Sequence, residues 1–308
     1  MPQRHSSSRF LLIIFLMAGA AALYSGCSQP EEPVFDGESA FRFLTDQCDM
    51  GPRYPGSREH RRLRKYLVER LREFGANVSA QSFEAALTTG DTLHLANIIA
   101  NYNTGGDRRI LLGAHYDTRP YADRDPDPAN REKPILGAND GASGVAVLLE
   151  IARLLGGSEP PVGVDLVFFD GEDYGREGVQ QDYILGSSYF ASQMSDYNPE
   201  AVIIVDMIGE KDVRIDKERF SAEYSGQLLE KIFSIADSLG VEQFRDEKGS
   251  YILDDHIPFI KRGIPAVVLI DFDYPWWHTL EDTPDKCSAA SLDAVGRVLI
   301  RYIWRSGS

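Results

Sequence analysis

The chain has 308 residues, of which 43% are hydrophobic, and its formal net charge at pH 7 is −15. This length and apolar content favour one large domain with a packed core over two small domains. Because 47 acidic side chains outnumber 32 basic ones, the composition argues against nucleic acid as a partner and against a basic patch that binds an anionic membrane surface.

The first 27 residues have the pattern of an export signal and are set aside from the fold. A positively charged start precedes residues 10–23, an apolar stretch too short for a comfortable transmembrane helix. Residues 24–27 are Tyr-Ser-Gly-Cys and resemble a bacterial lipobox, in which Cys27 would be lipidated after cleavage. Tyr24 stands where that motif usually has Leu, so secretion without a lipid is the alternative. We therefore expect an exported protein, lipid-anchored to a bacterial membrane and facing the periplasm.

The remainder of the chain divides into a short connection and one domain. Two Pro and two Glu between residues 28 and 35 indicate a tether, which we extend to residue 38, and residues 39–308 are predicted to form a single domain. Cys48 and Cys287 are the two remaining cysteines. In an exported protein they could form a disulfide or remain as two free buried thiols, and the sequence leaves both alternatives open.

Strand and helix patterns alternate along most of this domain. Helices are predicted at residues 39–48, 57–74, 145–155, 183–194, 220–239, 257–262 and 288–304. Strands are predicted at residues 78–83, 93–101, 109–116, 165–170, 201–205 and 265–270. This alternation predicts an α/β protein with a mixed, mostly parallel sheet that is covered by helices on both faces.

The strand at residues 165–170 is followed by the first chemical signal. Its apolar run changes directly to carboxylates, with Asp170, Glu172 and Asp173 around Gly171. Adjacent carboxylates stay ionised together only if a cation or protons relieve their repulsion. A metal that uses one carboxylate as ligand, with its neighbour as acid/base, is one interpretation, and a solvated acidic loop is the other.

Other strand and loop ends carry similar polar groups. Taken singly, an Asp after a strand is usually a turn or cap residue, and a lone His is usually a structural one. Because α/β folds gather strand ends into one crevice, the agreement of several ends favours a shared site. Histidine with carboxylates, and no cysteine cluster, fits a catalytic zinc with an open position. The residues concerned are His115, Asp117, Asp140, Glu172, Asp173, Asp206, Asp254, Asp255 and His278.

These residues stand within an ordered series of motifs that resembles the zinc aminopeptidase and glutaminyl cyclase superfamily over about residues 40–304. The series is HYD at 115–117, GANDGASG at 137–144, FFDGED at 168–173, DMIG at 206–209, DDHIPF at 254–259 and WHT at 277–279. DDHIPF and the Trp277-His278 pair most resemble bacterial glutaminyl-peptide cyclotransferases, which convert the N-terminal Gln of peptides and proteins to pyroglutamate. The resemblance implies a three-layer α/β/α domain with a central mixed sheet, and zinc at the strand ends.

The resemblance also implies roles for single residues, carried over by motif. One Zn²⁺ would be held by Asp140, Asp173 and His278, with Glu172 as the acid/base. Asp206 and Asp254 would form a hydrogen-bonded catalytic network beside it. Trp277 and Tyr274, from the aromatic loop at residues 273–279, would form the wall of the substrate pocket.

Two other functions use the same sequence features. A di-zinc aminopeptidase would place His115 and Asp206 on a second Zn²⁺, with Asp140 bridging the two metals. A catalytically inactive, lipid-anchored binding domain is the third alternative, and the complete set of ligands argues against it.

The chain departs from the superfamily in having Asp173 where Glu is common. It also lacks the Trp that the animal cyclases have within the region of residues 175–181, and it has an aliphatic residue near Val268 where they have His.

Overall fold

The computed structural model describes Met1 and residues 32–105, 108–195 and 197–306. The predicted lipidation site Cys27, and almost all of the predicted signal, lie outside these residues. Among the described helices, none is both long enough and apolar enough to cross a membrane.

The described residues form seven helices and eight strands, close to the predicted order. The helices are α1 (Gly37–Cys48), α2 (Arg58–Glu73), α3 (Ala142–Gly156), α4 (Leu185–Gln193), α5 (Arg219–Ser238), α6 (Ile257–Lys261) and α7 (Ala289–Arg305). The strands are β1 (Asn77–Ala86), β2 (Thr92–Tyr102), β3 (Arg109–His115), β4 (Gly163–Phe169), β5 (Ala201–Asp206), β6 (Ile215–Lys217), β7 (Phe244–Lys248) and β8 (Ala266–Ile270).

Six strands form the central sheet in the order β1-β2-β4-β3-β5-β8. β4, β3, β5 and β8 are mutually parallel, whereas β1 and β2 pair antiparallel at one side. All seven residues of β4 are buried, as expected for a strand with helices on both faces. The predicted mixed, mostly parallel sheet is confirmed.

Helices cover both faces of the sheet. One core contains side chains of α1, α2, α3, α5 and α7, packed on inward-facing residues such as Leu112 and Ile203. The opposite core is smaller and contains Phe190 of α4 and Phe259 of α6, packed on Phe169. The architecture is therefore the predicted α/β/α arrangement, with the thicker helical layer on one face.

The small parallel pair β6–β7 was not predicted. β7 reads Phe-Arg-Asp-Glu-Lys and is largely exposed, and β6 has only three residues. Neither has the apolar alternation that marks a half-buried strand in a sequence.

Some residues just before residue 39 contact the domain. Phe35 is buried, and its ring fills the space where a Cβ on Gly296 of α7 would lie, 2.3 Å from Phe35 Cζ. The side chain of Asp36 caps α1, and Glu32 pairs with Arg301 at 2.6 Å. The last residues of the predicted tether therefore pack against the domain.

Cys48 and Cys287 are both free and buried. Burial raises the pKa of the Cys48 thiol to about 11, so it stays protonated at neutral pH. Of the two alternatives that the sequence left open, the structure has the two free thiols.

Close packing at the start of α3 leads to a stability prediction. A Cβ on Gly144 would lie 2.4 Å from the carbonyl oxygen of Val205 in β5. We expect Gly144→Ala to lower the free energy of unfolding by about 1–3 kcal/mol, because backbone must shift to make room. Urea unfolding of the purified domain measures this. The matched control is Gly226→Ala in α5, where an added Cβ meets no atom within 4 Å, and equal losses in the two variants would contradict the prediction.

Candidate metal centre and catalytic pocket

The parallel strands bring the predicted polar side chains to one edge of the sheet. β3 ends at His115 and β5 at Asp206, and the turn after β4 carries Glu172 and Asp173. The loop after β8 carries His278. This is the carboxyl edge of the parallel strands, where open α/β sheets have their ligand sites.

Several turns at this edge have left-handed backbone conformations. Gly171, Met207 and His278 have φ values of 72°, 46° and 56°. Glycine adopts such values at no steric cost, whereas Met207 and His278 are strained by an amount of order 1–3 kcal/mol each. Surrounding structure must therefore impose these conformations, which aim the neighbouring side chains into the crevice.

The acidic and histidine side chains form two clusters that share Asp140, which lies just before α3. In the first, His278 Nε2 lies 3.5 Å from Asp140 Oδ2 and 3.3 Å from Asp173 Oδ2. In the second, His115 Nε2 lies 3.2 Å from Asp140 Oδ1 and 3.1 Å from Asp206 Oδ1. Each oxygen of Asp140 thus faces a different cluster, and each cluster has the ligand atoms for one metal ion.

The first cluster fits a zinc ion by the chemistry of its donors. Asp173 Oδ2 is buried and has no hydrogen-bond partner among the described residues, although it faces His278. Leaving a buried carboxylate oxygen unpaired is costly, and a cation there removes the cost. His nitrogen and carboxylate oxygens are donors that Zn²⁺ accepts, and three protein ligands leave the fourth position of a catalytic zinc open.

The electrostatics of the crevice favour a cation. Burial opposes charge on His278, yet the carboxylates of Asp173 and Asp123 raise its pKa to about 9. Burial likewise opposes charge on His115, and Asp206 is the main group that raises the pKa of His115 well above its ordinary value. Both histidines therefore lie in an excess of negative charge that a divalent cation would balance.

Glu172 lies beside the metal ligand candidate Asp173 but belongs to neither cluster. It is 9% exposed and lines the cavity that contains Asp173 and His278. Burial raises the pKa of Glu172 well above its ordinary value, and the carboxylates of Asp173 and Asp255 add to this effect. A buried carboxyl group that is easily protonated and faces the cavity is suited to accepting and returning a proton.

Asp254 follows the same pattern beside Asp206. Both line the cavity, and Asp254 is 3% exposed. Burial raises the pKa of Asp254 well above its ordinary value, and the charges of Asp206 and Asp255 raise it further. Both residues therefore lie on the cavity wall, and the charge of Asp206 acts on Asp254.

Asp117, one of the strand-end residues noted in the sequence, supports the acidic turn. Its Oδ1 accepts hydrogen bonds from the backbone N–H of Gly171 (2.9 Å) and Glu172 (3.1 Å). Its Oδ2 accepts from the N–H of Asp173 at 3.3 Å. Asp117 is fully buried, and it therefore fixes the turn that carries Glu172 and Asp173 rather than facing the cavity itself.

Tyr274 differs from its predicted position. It is 4% exposed, and its hydroxyl donates to Asp282 Oδ1 at 2.8 Å instead of lining the cavity. Asp282 also accepts from the backbone N–H of Asn139 and Asp140, at 2.8 and 3.2 Å. Tyr274 therefore stabilises, through Asp282, the loop that carries Asp140. The sequence analysis missed Asp282, since a single Asp in a polar loop carries no pattern of its own.

The cavity above the clusters has a volume of about 220 Å³. Trp277, predicted as a wall residue, does line it. Tyr251, Leu253 and Phe272 also line it and are between 37% and 46% exposed. The cavity therefore has a charged floor and an apolar rim, which suits one polar side chain attached to a chain that leads out to solvent.

The chain belongs to peptidase family M28, whose family model matches residues 97–303. That range contains both clusters, Glu172 and Asp254. The fold and the candidate metal ligands clustered at the strand ends are thus those of a member of this peptidase family.

Among its relatives, the chain is similar to a glutaminyl-peptide cyclotransferase of Drosophila melanogaster, with 28% identity over 80% of this chain and 75% of that protein. It is also similar to the crystal structure of Porphyromonas gingivalis glutaminyl cyclase, with 40% identity, a TM-score of 0.86, and coverage of 89% of this chain and 99% of the other. A Bacteroides thetaiotaomicron structure described as a leucine aminopeptidase precursor matches with 38% identity, the same TM-score of 0.86, and the same coverage of 89% and 99%.

Proposed function

We propose that the chain is a zinc-dependent glutaminyl-peptide cyclotransferase, which converts an N-terminal Gln of peptides or proteins to pyroglutamate and releases ammonia. The observation that carries its acid/base step is the position of Glu172, a buried carboxyl group that lines the cavity together with Asp140, Asp173 and His278. Relatives described as glutaminyl cyclases support it.

Zinc held by Asp140, Asp173 and His278 would supply a Lewis acid that polarises the γ-carboxamide of the substrate. The substrate provides its own nucleophile, because its α-amine attacks the γ-carboxamide carbon. A new C–N bond closes the five-membered ring, and the bond from that carbon to the amide nitrogen breaks. Glu172 accepts the proton that the amine loses and delivers it to the departing nitrogen, which leaves as ammonia.

Asp206 and Asp254, which also line the cavity, would form a hydrogen-bonded network near Glu172. The charge of this network would help set the proton state of Glu172. Trp277 would pack on the substrate side chain, and Tyr251 and Phe272 at the rim would contact the residues that follow the Gln.

A di-zinc aminopeptidase is the second candidate, and one observation favours it. The cluster of His115, Asp140 and Asp206 is complete and buried, so a second metal has its ligands in place. In that enzyme Glu172 would activate water instead of the substrate amine. The leucine aminopeptidase precursor among the similar structures agrees with this candidate.

Substrate assays distinguish the two activities. The purified domain, supplied with zinc, is incubated separately with a Gln-initiated and a Leu-initiated peptide. Formation of pyroglutamate with one equivalent of ammonia from the first, and no free leucine from the second, is the expected result. Release of leucine with no reaction of the Gln peptide would replace the cyclase assignment with the aminopeptidase.

We further propose that the protein is exported and lipidated at Cys27. The proposal rests on the apolar segment and the lipobox-like residues that precede Cys27. Cys27→Ser is expected to move the protein from the membrane fraction to the soluble fraction, or to leave an unprocessed precursor. Fractionation of cells that express each form, with blotting for the catalytic domain, provides the measurement. Identical processing and membrane partition of the two forms would remove the lipid anchor from the proposal.

A further inference from the structure

Arg119 is a buried cation in direct contact with a candidate metal ligand. Its side chain is 1% exposed, and Nη1 donates to Asp173 Oδ1 at 2.7 Å. Nη2 also donates to the hydroxyl of Tyr183 at 3.0 Å. Because Oδ1 of Asp173 is occupied by Arg119, the unpartnered Oδ2 is the oxygen left for a metal.

Asp123 extends this contact to a second candidate ligand. Both of its oxygens accept from Arg119, from Nε at 2.9 Å and from Nη2 at 2.7 Å. Asp123 Oδ1 also lies 3.4 Å from His278 Nδ1. A carboxylate at Nδ1 favours the tautomer in which Nε2 is free to bind a metal, and Nε2 is the atom that faces Asp140 and Asp173.

The loop that carries both residues is tied to the His278 loop by its backbone as well. Arg124 N–H donates to the carbonyl oxygen of His278 at 3.1 Å. Asp125 Oδ2 accepts from the N–H of Leu280 at 3.1 Å. The polar segment at residues 119–134, which has the composition of a surface loop, thus holds the ligand loop in register.

Among the described residues, the orienting contacts of the second cluster are longer and fewer. His115 Nδ1 is buried and has no hydrogen-bond partner among the described residues. The nearest carboxylate in an ion-pair contact with that nitrogen is Asp117, 3.7 Å away, and Asp117 is already used by three backbone N–H groups. The histidine of the first cluster therefore has the shorter contact with an orienting carboxylate.

We propose that Arg119 and Asp123 are positioning residues that make the Asp140–Asp173–His278 cluster the tighter of the two metal sites. Arg119 fixes the short side chain of Asp173 and balances its charge, and Asp123 orients His278. The proposal rests on the metal centre of the proposed function but not on the reaction catalysed. Groups that orient metal ligands in this way typically contribute 10–100-fold to metal affinity.

Metal affinity, measured by competition with a coloured zinc chelator, tests the proposal apart from activity. Arg119→Met is expected to weaken binding of the tighter zinc by about 10–100-fold. Arg119→Lys should recover part of the loss, because Lys keeps the positive charge but lacks the planar fork of donors that contacts Asp173 and Asp123. Asp123→Asn keeps the size and one acceptor oxygen of the side chain, and we expect about a 10-fold loss. Asp123→Asn also tests the proposal if Arg119→Met does not fold. Arg119→Met could misfold because it leaves the side chains of Asp173, Asp123 and Tyr183 without their donor.

The control is Arg176→Met, which removes a cation from the exposed ion pair with Glu132. It should bind zinc as the unaltered protein does. A Co²⁺-substituted sample adds a second measurement, because altered ligand positions change its visible spectrum. Zinc affinities of folded Asp123→Asn and Arg119→Lys within twofold of the unaltered protein, with unchanged Co²⁺ spectra, would overturn the proposal. A protein that binds zinc as expected but does not cyclise Gln peptides would overturn the proposed function alone.

Discussion

Glu172→Gln is expected to lower kcat for Gln cyclisation by roughly 10²-fold or more, while the zinc content of the protein is unchanged. The amide has nearly the same shape as the carboxylate but cannot accept and return the proton. Glu172 belongs to neither ligand cluster, so its replacement removes no ligand. Ammonia release from a Gln-initiated peptide gives the rate, and elemental analysis of the same sample gives the zinc content.

The matched control is Glu177→Gln, a few residues along the same loop. Glu177 is 74% exposed and pairs with Arg124, so its replacement should change kcat less than twofold. A Glu172→Gln variant that cyclises at the unaltered rate would refute the role given to Glu172. If the variant lost zinc as well as activity, Glu172 would be a ligand and not a proton carrier.

The sequence predicted best those helices and strands whose own residues show a clear pattern, such as a capping residue or an apolar run. The helix predicted at residues 57–74 is α2, and Ser57 just before it accepts a hydrogen bond from the N–H of His60, as Ser commonly does at a helix start. The apolar run of β4 and the carboxylates that follow it predicted a buried strand that ends in a site. The carboxyl ends of parallel strands meet at one edge of the sheet, and this does not depend on the conformation of the loops. These candidate residues could therefore be found from the sequence alone.

The supporting residues were missed because their roles exist only in three dimensions. Arg119 and Asp123 lie in a segment rich in Pro and Asp, whose composition is typical of an exposed loop. Nothing local shows that Arg119 is buried against Asp173, 54 residues along the chain. For Asp117, proximity to the site was predicted, but its three hydrogen bonds to the acidic turn depend on the exact course of that turn.

The metal content distinguishes the cyclase from the aminopeptidase. Asp140, the candidate ligand shared by the two clusters, is the residue whose replacement has the largest expected effect. Unaltered protein, purified and dialysed against metal-free buffer, should retain about one zinc per chain in the tighter cluster. Asp140→Ala removes an oxygen from both clusters. We expect it to lose tightly bound zinc and at least about 10²-fold in activity, since losing a ligand costs more than losing a group that only orients one.

His115→Ala distinguishes the two clusters, because His115 faces Asp140 and Asp206 and belongs to the second cluster alone. If the chain binds one zinc through Asp140, Asp173 and His278, this variant keeps that zinc at about one per chain. In a di-zinc aminopeptidase, the unaltered protein would hold about two, and His115→Ala would hold about one. Zinc counts of two falling to one would therefore reject the single-metal centre, whereas a count of one that is lost in Asp140→Ala and retained in His115→Ala supports it.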